Sequence, residues 1–235
     1  MRALLIKTMA PVLWIMAVSE CFALYRMFAQ YKKDRSNKIP LLVGIICIGL
    51  FYDAMILALG VFLKEGPLLK LLSQFRYIFH LTMIPLLFPV IALALGSRKK
   101  LQRTVDAAAA VVILIGPVAG IKLVTEARTV GAVTRYAESE ATAAWVDGIV
   151  QFLDIFPVFL MIGAGVFLII RNKDWNMFFA GAFMLLFTML GIFLGKDPGG
   201  DKTQSLMFYI SMFGEALMVF FLWRFSEKKR EKKDE

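Results

Sequence analysis

Seven long apolar runs, separated by short segments in which the charges collect, dominate this 235-residue chain. They cover residues 8–30, 40–63, 75–96, 105–125, 145–170, 175–195 and 204–225. Each is about 20 to 26 residues long, which at about 1.5 Å per residue crosses a hydrocarbon core of ~30 Å. Hydrophobic residues make up 59% of the chain, and the mean hydropathy is +0.70. A water-soluble domain carries about 45–50%, and here the excess lies in the runs. The expected fold is an all-α bundle of seven transmembrane helices over residues 1–226, followed by a basic tail at 227–235.

The net charge of +9 does not point to nucleic acid, because the bases lie between the runs and in the tail. Arg26, Lys32, Lys33, Arg35 and Lys38 flank the first connection, and Arg98, Lys99, Lys100 and Arg103 flank the third. Arg171 and Lys173 mark the fifth, and Arg224, Lys228, Lys229, Arg230, Lys232 and Lys233 the tail. These alternate segments hold 17 of the 27 Lys and Arg residues. Bases on the opposite side mix with Glu126, Glu138, Glu140, Asp197 and Asp201. Cytoplasmic loops collect Lys and Arg, so a multi-pass cell-membrane protein with an outside N-terminus and a cytoplasmic C-terminus is expected. A cleaved signal peptide is the alternative for the first run, but that run lacks a clean A-x-A site. The longest connection, Glu126 to Ala144, reads as a polar loop.

Ionisable side chains at membrane depth cost roughly 2.5–3.5 kcal/mol each on insertion scales, so their positions carry information. Glu20 lies in the first run and Asp53 in the second, while Arg76 and His80 stand one turn apart on the third. Asp147, Gln151 and Asp154 form one stripe on the fifth, and Ser211 and Glu215 are an i, i+4 pair on the seventh. All fall at mid-membrane or in the outer half. The expected site is therefore an outward-facing polar cavity lined by Glu20, Asp53, Arg76, His80, Asp154, Ser211 and Glu215. Crowded carboxylates of this kind cannot all be ionised cheaply. Such a cavity suits a proton, a cation or a small apolar or cationic ligand, in partnership with the lipid bilayer. Cys21 and Cys47 read as small buried hydrophobes, and no metal spacing occurs.

The third run, Arg76-Tyr77-Ile78-Phe79-His80-Leu81-Thr82-Met83-Ile84-Pro85-Leu86-Leu87, resembles the third helix of microbial rhodopsins, R-Y-x-D-W-L-x-T-T-P-L-L. Arg76, Tyr77, Leu81, Pro85, Leu86 and Leu87 match. The helix count, topology, short loops and length are similar too. The resemblance implies neighbouring first, second, third and seventh helices, which would bring Glu20, Asp53, Arg76, His80 and Glu215 together and let Arg76 pair with Asp53 or Glu215. Its functional positions differ: Phe79 stands where the family has its proton-accepting aspartate, and His80 where it has tryptophan. Met83 and Ile84 replace its two threonines, and Val90 its internal donor carboxylate. Ser211 and Glu215 stand in place of the aspartate and the retinal lysine, and no lysine lies between Lys202 and Lys228. No covalent retinal is expected. The chain also resembles membrane proteins with a Tyr-Asp second helix and an Arg-x3-His third helix, a pattern that implies no particular activity.

Enzyme motifs such as HExxH, GxSxG and a Walker loop are missing. Three function classes stay open at this level. One is a sensor or transporter without light-driven chemistry. Another is an intramembrane enzyme using Asp53, His80 and Glu215 on a lipid-like substrate. A third is a structural protein whose polar residues only join helices.

Overall fold

The computed structural model of the chain describes residues 2–196 and 205–234, with side chains as far as Lys228. Its helices are α1 (Arg2–Lys33), α2 (Ile39–Leu63), α3 (Pro67–Met83), α4 (Leu87–Ala94), α5 (Lys99–Lys122), α6 (Ala144–Asn172), α7 (Asn176–Leu194) and α8 (Met207–Asp234). The strands β1 (Thr125–Val130) and β2 (Val133–Glu138) form an antiparallel hairpin. α3 and α4 are one apolar rod interrupted by a 3₁₀ turn at Ile84–Leu86. Pro85 has no N–H to offer the ladder there, so the turn tightens around it. Counted that way, seven helices among the described residues are long and apolar enough to cross a bilayer.

The helix ends differ from the hydropathy boundaries in the way charged flanks produce. α1 begins at Arg2, and the third rod begins at Pro67 rather than near Phe75. α8 runs without a break into the basic tail and ends at Asp234. The expected start of the seventh run at Gln204, together with Asp197, Asp201 and Glu235, lies outside the described residues.

The rods close into a ring in chain order. α1 packs on α2 and α8, α2 on α3, α3 on α5, α5 on α6, α6 on α7, and α7 on α8. α2 also touches α8 across the ring. Outward side chains are apolar on every side, with Phe62, Leu114, Ile170 and Phe193 more than two-thirds exposed. An apolar exterior of this extent fits a hydrocarbon solvent and would aggregate in water.

Among the described residues, the two largest of four apolar core clusters stack along the bundle axis. The one toward the α1–α2 connection contains Met27, Val43, Cys47, Leu50, Val90, Met161, Met218 and Leu222. At this basic end Arg26 pairs with Glu227 at 3.3 Å, and Lys228 reaches the Asp174 carboxylate at 3.5 Å. The other core lies toward the hairpin and contains Met9, Leu13, Ala17, Ala54, Leu57, Val130, Val133, Tyr209 and Met212.

The connection expected to be a polar loop is instead a folded cover. Gly131 takes φ +60° at the first position of the two-residue Gly131-Ala132 turn, a conformation that glycine adopts freely. The register runs from Thr125 opposite Glu138 to Val130 opposite Val133. Val133 to Ala137 are buried on both faces, because β2 lies across the ends of α2 and α3. Lys64 donates to the Ala132 carbonyl at 3.3 Å, and the Tyr136 hydroxyl donates to the Gly66 carbonyl at 3.3 Å.

Gly60 makes this seat possible. A Cβ there would lie 1.9 Å from the Thr134 carbonyl oxygen, a backbone atom that cannot rotate away. Gly60→Ala is therefore expected to lift β2 and cost about 1–3 kcal/mol, the range for overpacking. Gly148→Ala, where a Cβ meets nothing within 4 Å, is expected to stay within about 0.5 kcal/mol of the parent. Thermal unfolding in detergent, with proteolysis of the hairpin as a local readout, separates the two variants.

Candidate functional site

The polar residues sit at the seam between the two cores. On α1, Glu20 falls between Ala17 of the hairpin-side core and Met27 of the other. Asp53 falls between Leu50 and Ala54 on α2, and Glu215 between Met212 and Met218 on α8. Apolar packing above and below thus leaves one polar layer about midway along the bundle.

Two ion pairs organise the layer. Nε of Arg76 lies 3.2 Å from Oδ1 of Asp53, with 7% and 16% of the two side chains exposed. This pair joins α3 to α2, and it is one of the two pairings that the sequence allowed for Arg76. Nε2 of His80 lies 3.4 Å from Oδ1 of Asp154, joining α3 to α6. Glu215 interacts electrostatically with Asp53, His80, Asp154 and Arg76, and Glu20 interacts with Glu215 and Asp53. Five rods (α1, α2, α3, α6 and α8) therefore contribute to one electrostatic cluster.

The two ends of this cluster differ in access. Glu20 is 1% exposed, and neither carboxylate oxygen has a hydrogen-bond partner. The Asp154 side chain is 49% exposed. Yet Asp154 precedes Pro157 by three residues and Met161 by seven, so it shares their inward face, and both of those are buried. His80 of α3 meets it there. Toward the hairpin end, Asp147 continues the stripe and accepts hydrogen bonds from Nε2 of Gln151 at 2.9 and 3.0 Å. Two clefts of about 300 and 340 Å³ lie elsewhere, at the basic end.

Ser211 lies one turn before Glu215 on α8. Its hydroxyl donates to the Phe208 carbonyl at 3.1 Å, a local helix contact. Sequence reading missed two residues of the hairpin. Arg135 on β2 is buried, with its guanidinium 4.0 Å over the Phe208 ring of α8. Burial, followed by the nearby charge of Arg76, pushes Arg135 down to about 10, with the Tyr77 hydroxyl and Asp53 pulling the other way. It stays cationic at neutral pH. Glu138, at the end of β2, is raised above the usual carboxylate range by burial, then by Asp147 and Asp154. The available signal was the β-branched and aromatic alternation Val133-Thr134-Arg135-Tyr136, which reads as a strand.

Among the described residues, no group of three or more His, Cys, Asp and Glu side chains is placed to hold a metal ion. No protein-family model matches the chain, and a search of curated proteins finds no match.

The Arg76–Asp53 pair generates a stability prediction. Removing one partner of a buried pair costs about 3–5 kcal/mol, because the other charge is left uncompensated. Asp53→Asn is expected to fall in that range, and Asp53→Asn with Arg76→Met to lose less than the sum of the single changes. A double-mutant cycle measured by unfolding in detergent tests this; additive losses would show that the two groups do not depend on each other.

Proposed function

We propose that this protein is an integral membrane sensor or transporter that takes a small ligand, a cation or a proton into the polar layer from the hairpin end. The observation that carries this reading is the Asp154–His80 pair. The Asp154 side chain is half exposed, and the pair lies within electrostatic reach of the buried Glu215. The Asp147–Gln151–Asp154 stripe supplies a polar approach to it. Below the layer, the core around Val43, Leu50, Val90 and Met218 is apolar as far as the buried Gln30–Ser226 hydrogen bond at the basic end, which supports access from the hairpin side.

The positive-inside rule sets the proposed orientation, with the hairpin outside and the basic end cytoplasmic. The ring order and the third-run motif support an arrangement like that of microbial rhodopsins. Glu215 in place of the lysine supports a function without a retinal Schiff base.

Three measurements test this reading. Asp154→Asn is expected to weaken proton or cation uptake by purified protein about tenfold or more, which is about 1.4 kcal/mol, with the fold intact by circular dichroism. Uptake equal to the parent's would overturn the role of the pair. For orientation, Ala141→Cys in a Cys21→Ala, Cys47→Ala background is expected to react with a membrane-impermeant maleimide on intact cells; protection until lysis would invert the topology. Retinal added to the purified chain is expected to give no borohydride-trapped adduct by mass spectrometry.

A further inference from the structure

Charge at the centre of the bundle does not balance within the protein. Arg76 is taken by Asp53 and His80 by Asp154. Glu20 and Glu215 are left, on α1 and α8, which pack against each other. Glu20 is 1% exposed with both carboxylate oxygens unpartnered, and Glu215 is 8% exposed with Oε2 unpartnered. Three buried carboxylate oxygens on two facing helices therefore have no donor from the chain.

The surroundings do not repair this. The groups facing the pair are Asp53 and the Cys47 thiol on α2, Arg76 and His80 on α3, and Asp154 on α6. From β2, Arg135 acts on Asp53. Four carboxylates (Glu20, Asp53, Asp154 and Glu215) thus meet Arg76, Arg135 and the His80 imidazole. With the imidazole charged, one negative charge is left over. Its place is Glu20, which is 1% exposed and has no hydrogen-bond donor on either oxygen. Leaving a bare carboxylate in a dry interior costs several kcal/mol. One small cation shared by these oxygens removes that cost, and carboxylate oxygens are hard ligands that suit hard cations. Divalent ions seek more carboxylate and oxygen ligands than this pair supplies.

We infer that Glu20 and Glu215 form a binding site for one monovalent cation, a proton or a sodium ion. This rests on reading the polar layer as a ligand chamber, and it places the ligand one step deeper than the accessible pair. Glu138, Asp147 and Asp154 make the hairpin end of α6 acidic, and Glu215 lies within electrostatic reach of both Asp154 and Glu20.

The test uses the full chain in lipid nanodiscs, with radiosodium binding measured across pH and infrared spectra recorded for the protonated-carboxyl stretch. If sodium is the occupant, saturable binding of one ion per chain is expected, lost on acidification and lost in Glu20→Gln and Glu215→Gln. If the proton is the occupant, radiosodium does not bind, and the wild-type spectrum holds a buried carboxylic-acid band that Glu20→Gln removes. Wild-type protein with neither signal overturns the site, whatever the variants do. So does Glu20→Gln with unchanged binding and an unchanged band. Loss of uptake in Asp154→Asn alone, with Glu20→Gln behaving as wild type, overturns this site and leaves the broader reading standing. Unchanged uptake in both variants overturns both.

Discussion

The Arg76–Asp53 ion pair is the interaction on which the centre of the bundle depends. A guanidinium at this depth must be matched, and the 3.2 Å contact with Asp53 matches it while joining α3 to α2. Once Arg76 is held there, His80 one turn further along α3 is directed to the same layer and meets Asp154 on α6. The two pairs hold three rods at one depth. The apolar cores above and below are what make the layer a layer, since they leave the polar groups nowhere else to go.

The hairpin changes what kind of site this is. A bundle ending in flexible loops would expose Asp53 and Arg76 along the axis. Here β2 lies over the ends of α2 and α3, seated on Gly60, and sends Arg135 inward over Phe208. The end of the bundle therefore carries a fixed positive group near Asp53. Glu138, Asp147 and Asp154 make the side toward α6 acidic. Opposite charges thus lie on two sides of the hairpin end, basic beside β2 and acidic toward α6.

Much of this was legible in the chain. Hydropathy located the seven apolar rods because lipid tolerates no unpaired backbone and demands helices of sufficient length. The intramembrane charges named most of the cluster, because each is too costly to retain without a partner or a use. A serine is less informative than a charge, since in a helix it can satisfy its hydroxyl on a carbonyl of the preceding turn, as Ser211 does on Phe208. Arg135 and Glu138 were passed over because their hairpin lies between runs, where polarity suggests a loop. Only contact with α2 and α3 reveals that Arg135 is buried and Glu138 half-buried.

By itself, then, the sequence determined the number of long apolar helices and which of them carry ionisable residues. Both follow from hydropathy, which is a local property of the chain. Tertiary structure decided the pairings: which aspartate meets Arg76, which meets His80, and which carboxylates are left with none. Partner choice depends on how each helix is rotated and which helices are neighbours. Both are set by packing among side chains distant in sequence, including the close approach at Gly60 that seats β2 over the bundle.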